Sequence, residues 1–178
     1  MTHTTHDVTI DVRTGDIAHQ ADVTAVVNAA NAQLRSGGGV AGALHRAAGP
    51  GLAEEAAPLA PLAPGEAVVT SGHNLPNDVV IHALGPVYGR DTPSDELLAT
   101  AYRNVLACAE GEGIARLATP ALSTGAFGYP MEDAARVALQ AVLDEAPTLD
   151  VVTYVRFVLY DDRALRIHER ALKTLIDV

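Results

Sequence analysis

The chain lacks the residues and patterns on which several classes of function depend. It holds one cysteine, Cys108, in 178 residues. An internal disulfide is therefore excluded, and a reducing compartment is the natural expectation. The helical setting of Cys108, NVLACAEG, suits core filling better than nucleophilic chemistry. No apolar run approaches the ~18 residues needed to cross a bilayer. The opening MTHTTHDVTIDVRTGD has neither a basic nor an apolar leader segment. No signal peptide is expected, and the protein is assigned to the cytoplasm. His3 and His6 read as part of a flexible tail over residues 1–6. Basic residues are scarce, with 12 Lys and Arg against 22 Asp and Glu for a formal charge of −10. That balance disfavours non-specific binding to a nucleic-acid backbone, and a small anion must be held by local donors. The seven histidines show no HxH, HExxH or Cys–His spacing, so no metal is expected. The phosphate signatures of P-loop and dinucleotide-binding Rossmann proteins are both missing.

What is present is concentrated in Val26–Leu44, VVNAANAQLRSGGGVAGAL. An apolar strand runs into Asn28 and Asn31, then three consecutive glycines, then an alanine-rich helix start. Glycines let the backbone approach a ligand within hydrogen-bond range, and a helix N-terminus favours a phosphate. Asparagine both donates and accepts, as a sugar hydroxyl requires. A second glycine-rich turn, Ser123–Tyr129, also precedes a helix. Taken singly, each feature has a plainer reading. A glycine triplet makes a flexible turn, Asp16 caps a turn, Asn31 forms an Asx motif, and Tyr160 is a strand aromatic.

Strand-like runs fall at Val8–Val12, Val23–Val27, Glu66–Thr70, Val79–Leu84, Ile114–Thr119 and Val151–Tyr160. Helical patterns fall at Val40–Ala48, Leu52–Leu59, Ser94–Glu112, Met131–Glu145 and Ala164–Ile176, with Asp162 as the expected N-cap of the last. The alternation argues for an α/β domain with a largely parallel sheet covered by helices, one domain over residues 1–178. In such a sheet ligands bind beyond the carboxyl ends of the strands. Four segments arrive there: Gly15–Ile17, Asn28–Gly42, Ser123–Tyr129 and Tyr160–Asp161.

These segments, in this order, resemble the macrodomain family of ADP-ribose-binding modules. The matching landmarks are GDI (Gly15–Ile17), VVNAAN (Val26–Asn31), GGGVAGAL (Gly37–Leu44), GEAVVTSGHNL (Gly65–Leu75), HALGPVY (His82–Tyr88), PALSTGAFGYP (Pro120–Pro130) and VLYDD (Val158–Asp162). The resemblance implies a three-layer α/β/α sandwich with a mixed, mostly parallel central sheet. It implies that Asp16 accepts from the adenine amine, with Ile17 beside it, and that Tyr160 stacks on the base. Diphosphate-binding loops follow from the backbones of Gly38, Gly39 and Val40 and of Ser123, Thr124, Gly125, Ala126 and Phe127. The resemblance implies that Asn31 holds the distal ribose, that Phe127 packs against it, and that Ala30 belongs to the ligand-binding set.

The same resemblance implies hydrolysis at or beside the anomeric carbon of the distal ribose, with Asn31, Gly39 and Phe127 as the catalytic set. The expected activity is release of mono-ADP-ribose ester-linked to acidic side chains, with deacetylation of O-acetyl-ADP-ribose beside it. A non-catalytic reader and an ADP-ribose 1″-phosphatase are the alternatives. Ala41 stands where one hydrolase subgroup has an aspartate, Ser36 where viral relatives have a histidine, and Ala126 where a larger aliphatic residue is frequent. No cofactor is expected beyond the ligand ADP-ribose. Expected partners are ADP-ribosylated proteins and ADP-ribosylated nucleic-acid ends, with no membrane, and the protein is expected to be a monomer.

Overall fold

The computed structural model describes residues 1–177; Val178 lies outside them. Seven strands form one sheet: β1 (Thr2–Thr5), β2 (Val8–Thr14), β3 (Ala25–Ala29), β4 (Ala67–Ser71), β5 (Val79–Ala83), β6 (Arg116–Thr119) and β7 (Tyr154–Leu159), in the order β1-β2-β7-β6-β3-β5-β4. The five inner strands run parallel, and β1 and β4 are antiparallel edges. The helices are α1 (Gly39–Ala48), α2 (Gly51–Ala56), α3 (Ser94–Gly111), α4 (Met131–Glu145) and α5 (Asp162–Ile176).

Successive side chains of a strand point to opposite faces, and β3 shows what that does for the layers. Val27 joins Leu98, Leu106 and Leu139 on the face covered by α3, α4 and α5. Its neighbour Val26 joins Leu44, Ala48 and Leu52 on the face covered by α1 and α2. Strands buried on both sides give unbroken apolar runs, which is why the sequence marks them so clearly. The result is the three-layer sandwich with a mixed, mostly parallel sheet.

Two local expectations are corrected. Residues Thr2–Thr5 are not a flexible tail: they pair with Val8–Asp11 as an edge strand, and His3 lies opposite Ile10. The N-cap of α5 is Asp161, whose Oδ1 accepts from the Ala164 amide at 2.8 Å; Asp162 is the first helical residue. Asp161 is extended, as an N-cap must be, while Asp162 already has helical geometry.

One buried network ties the sheet to the loop after β2. Arg156 on β7 is buried and forks onto both carboxylate oxygens of Asp22 at 2.7 Å each. It also donates to Asp11 at 3.2 Å, Gln20 at 2.9 Å and the Tyr154 hydroxyl at 2.9 Å. Gln20 in turn donates from Nε2 to the Asp16 carbonyl at 2.8 Å. Burial alone would raise the Asp11 carboxyl, but bonds from Tyr154, Arg13 and Arg156 outweigh it and hold the group below its ordinary value. The Arg156 fork holds Asp22 down to about 2.

Candidate functional site

A cleft of about 580 Å³ opens at the carboxyl ends of β3, β6 and β7. Its walls are Ala29–Asn31, Gly37–Ala41, Gly85, Pro120–Phe127 and Val158–Asp161, closed by Met131, Arg163 and Ala164 from the starts of α4 and α5. All four predicted segments converge on this end of the sheet, and eleven of the thirteen predicted site residues line the cleft: Ala30, Asn31, Gly38, Gly39, Val40, Ser123, Thr124, Gly125, Ala126, Phe127 and Tyr160. The other two, Asp16 and Ile17, stand outside its lining. They follow β2 and are held beside the β7 wall, where Gly15 donates to the Leu159 carbonyl at 3.1 Å.

On one side the cleft is bounded by the start of α1. Gly38 is the N-cap of α1 and supplies no side-chain cap, and Gly39, the first helical residue, has φ of +57°. The first amides of any helix lack an intrahelical acceptor, so those of Gly39–Ala41 are left for a ligand. The facing loop is built to the same end. Ser123 adopts a φ of +68°, a left-handed conformation that glycine usually supplies. Its carbonyl accepts from the Tyr129 amide at 2.9 Å, and Gly125 accepts from Gly128 at 3.0 Å. Among the described residues, the amides of Ser123, Gly125, Ala126 and Phe127 have no protein acceptor. Two rows of unpaired amides thus face one another across the cleft, a nest for a polyanionic group.

The two asparagines part company. Asn31 lies in the wall, and its carboxamide bridges the backbone of Arg35: Nδ2 donates to the carbonyl at 2.8 Å and Oδ1 accepts from the amide at 3.0 Å. One hydrogen and one lone pair remain for a ligand. Asn28 is fully buried and does not reach the cleft. Its Nδ2 donates to His82 Nδ1 at 3.0 Å, which fixes the tautomer with Nε2–H donating to Thr70 Oγ1 at 2.8 Å. Burial pushes His82 down to about 4, and burial likewise lowers nearby His45. Asn28 therefore serves the core between β3 and β5 rather than a sugar.

Phe127 is half-buried and packs with Ala30, Leu34 and Leu84, which ties the amide loop to the Asn31 segment. At the opposite end Tyr160 is 96% exposed and projects its ring into solvent at the rim. Asp16, also exposed, accepts from the Ala18 amide and from His19 Nδ1, both at 2.9 Å. The Ala18 bond is the main reason its carboxyl stays below the ordinary value.

Titratable groups are sparse in the lining. Among the described residues, the one carboxylate there is Asp161, committed to capping α5 at the Tyr160 end; Ala41 lines the cleft beside the glycines. Among the described residues no histidine or cysteine lines it. Cys108 sits on α3, half-buried with its thiol pushed up by burial, and its neighbour is the Ala67 carbonyl. Among the described residues no group of three or more His, Cys, Asp or Glu is disposed to hold a metal.

The sequence reading gave no role to Gly85 or Arg163. Gly85 touches Ser123 so closely that a Cβ there would overlap the buried, unpartnered Ser123 Oγ. Its presence in HALGPVY between a strand and a turn was the only signal. Arg163, the second residue of α5, was masked by the acidic pair before it.

The Macro domain family matches residues 27–138. An O-acetyl-ADP-ribose deacetylase of Citrobacter koseri is 44% identical over 168 residues, 92% of this chain and 94% of the relative. Among solved structures, the Oceanobacillus iheyensis macrodomain with ADP superimposes with a TM-score of 0.93 at 38% identity, covering 99% of this chain and 96% of that one. The Trypanosoma brucei macrodomain in complex with ADP-ribose gives 0.81 at 32% identity, over 92% of this chain and 68% of that one. The chain belongs to the macrodomain family.

Proposed function

We propose that the cleft binds ADP-ribose and that the protein hydrolyses mono-ADP-ribose from acidic side chains, with O-acetyl-ADP-ribose as a second ester substrate. The observation that carries this reading is the pair of facing amide rows, Gly39–Ala41 and Ser123–Phe127, with a polar carboxamide beyond one end and an exposed aromatic at the other. A diphosphate between the rows directs the base toward Tyr160 and the adjacent Asp16, and the distal ribose toward Asn31 and Phe127. Further support comes from relatives named as O-acetyl-ADP-ribose deacetylases, whose substrate is also an ester of this sugar.

In hydrolysis of the side-chain ester, water attacks the anomeric carbon. The carbon–oxygen bond to the side chain breaks, and the carboxylate leaves with the bonding pair. The lining offers no free base near Ala41, so the proton from water passes to a phosphate oxygen of the ligand itself. The protein's part is to hold the ribose through Asn31 and Phe127 and to fix the diphosphate that activates the water.

The missing base also favours a second reading, a reader that binds ADP-ribosylated partners without cleaving them. Incubation of the pure protein with a carrier bearing glutamate-linked mono-ADP-ribose separates the two. Release of free ADP-ribose over minutes to hours supports hydrolysis; complete retention of label beside tight ADP-ribose binding leaves the reader.

A further inference from the structure

Helix α1 has a glycine where alanine would serve the helix better. Gly42 is the fourth residue of α1, buried, between Ala41 and Ala43. Alanine is the strongest helix former and glycine among the weakest, so local propensity argues against the residue found. Its surroundings supply the reason. A Cβ on Gly42 would stand 2.2 Å from the Gly37 carbonyl oxygen and 3.3 Å from the carbon that carries it. That obstacle is backbone and cannot rotate away. The remaining neighbour, Arg46 Nη1 at 3.0 Å, ends an exposed and flexible side chain. Gly38 and Gly39 behave in the opposite way, since a Cβ on either meets nothing within 4 Å. The steric requirement of this stretch therefore falls on Gly42, which lies outside the glycine run and does not line the cleft.

The carbonyl that Gly42 admits belongs to the strap over residues 31–38, which leads one wall of the cleft into α1. The strap is held at two points. Near its start the Asn31 carboxamide pairs in both directions with the Arg35 backbone. Near its end Gly37 lies against Gly42, whose amide donates to the Gly38 carbonyl at 3.3 Å. Consecutive Cα atoms are fixed about 3.8 Å apart, so lifting Gly37 carries Gly38 and Gly39 with it. Arg35–Gly39 are exposed, and the strap can yield in this way without disturbing the core.

We propose that Gly42 is a positioning residue of the cleft. The inference rests on the reading of the cleft as an ADP-ribose site. The missing side chain lets the strap lie down on the first turn of α1. That contact sets the Gly38–Gly39 end of one amide row at the distance from Ser123–Phe127 that a diphosphate spans. A methyl group on residue 42 lifts Gly37, displaces that end of the row, and leaves the facing row with half its partner for the ligand.

The test is Gly42→Ala, with Arg46→Ala and Gly42→Ala/Arg46→Ala beside it. Arg46 lies outside the cleft, and its single variant binds as the wild type does. Calorimetry with ADP-ribose and with ADP reads the hold on the diphosphate, and thermal unfolding reads the fold. In Gly42→Ala both ligands bind about tenfold more weakly, the scale of one misaligned hydrogen bond to a charged group. The thermal midpoint stays level or rises, because alanine favours the helix; a residue needed only for packing would lower it. The double variant keeps the loss, since removing the Arg46 side chain leaves the Gly37 carbonyl in place. Wild-type affinity in Gly42→Ala, recovery of affinity in the double variant, or a lowered midpoint, up to loss of folding, overturns the assignment of Gly42 alone. Failure of the wild type to bind ADP-ribose overturns the functional reading, and the assignment of Gly42 with it.

Discussion

The carboxamide of Asn31 is paired twice with the backbone of Arg35, donating to its carbonyl at 2.8 Å and accepting from its amide at 3.0 Å. This side chain therefore holds the approach to the glycine run and faces the cleft at the same time. A ligand ribose would meet an amide whose orientation is already fixed. Orientation set before binding is the kind of contribution that shows in turnover rather than in affinity.

Asn31→Ala accordingly lowers kcat by about 100-fold, the scale of a misplaced reacting group, while ADP-ribose affinity changes far less. Stability falls by about 1 kcal/mol as the Arg35 backbone loses its partner. Steady-state kinetics beside calorimetry makes the comparison. Equal losses in both would reduce Asn31 to a ground-state contact.

Gly85 and Ser123 form a second such pair. Gly85→Ala drives a methyl group into Ser123 Oγ, so the loop carrying the Ser123–Phe127 amides must shift. ADP-ribose affinity falls by about 1–3 kcal/mol, the cost of losing aligned hydrogen bonds to a charged group. Removing the hydroxyl in Gly85→Ala/Ser123→Ala leaves the Ser123 Cβ at 3.4 Å and its amide nitrogen at 3.6 Å, both ordinary contacts, and restores most of the affinity. No restoration in the double variant would place the effect elsewhere.

Arg156→Leu destabilises the fold by about 3 kcal/mol, near the lower end for breaking a buried pair, because Arg13 still faces Asp11. Urea denaturation reads the loss. Gln20 loses its anchor and with it the hold on the Asp16 carbonyl, so ADP-ribose affinity declines as well.

How much of this was written in the sequence differs by element. The boundaries of α4 match its helical pattern at both ends, because an amphipathic helix between two loops carries its own period. The four segments at the carboxyl end of the sheet were legible only together, because glycine runs and polar residues that are ordinary singly recur in one order at successive strand ends. The edge strand β1 was not: THTT has no apolar residue, and its pairing depends on β2. The run Val151–Tyr160 reads as one strand, but pairing starts at Tyr154. The amides of Val151 and Val152 go instead to the Glu110 carboxylate at 2.9 and 2.7 Å. The Arg156 network joins residues more than 130 positions apart, and no local pattern announces such partners.

Stability also depends on pH through the buried histidines. His82 titrates near 4 in the folded protein against an ordinary value of 6.5, so between these values the unfolded chain binds a proton that the folded one does not. Stability is full above pH 6.5 and falls as pH drops toward 4, by up to about 3 kcal/mol from this group. His45 and His168, both lowered by burial, act in the same direction. Urea midpoints at pH 7 and 4.5 show the decline, and His82→Gln makes it shallower. An unchanged slope in that variant would assign the effect to other groups.

The proposed function stands on one cleft that holds ADP-ribose with its base against Tyr160 and Asp16. Calorimetric titration of ADP-ribose into the wild type, Tyr160→Ala and Asp16→Ala tests it most directly. Tyr160 is 96% exposed, so its removal leaves the thermal midpoint of the free protein unchanged. A single site is expected in the wild type and a loss of about 1–3 kcal/mol in each variant, the worth of one base–aromatic stack or one specific hydrogen bond. Absence of binding in the wild type, or wild-type affinity in both variants, would contradict it.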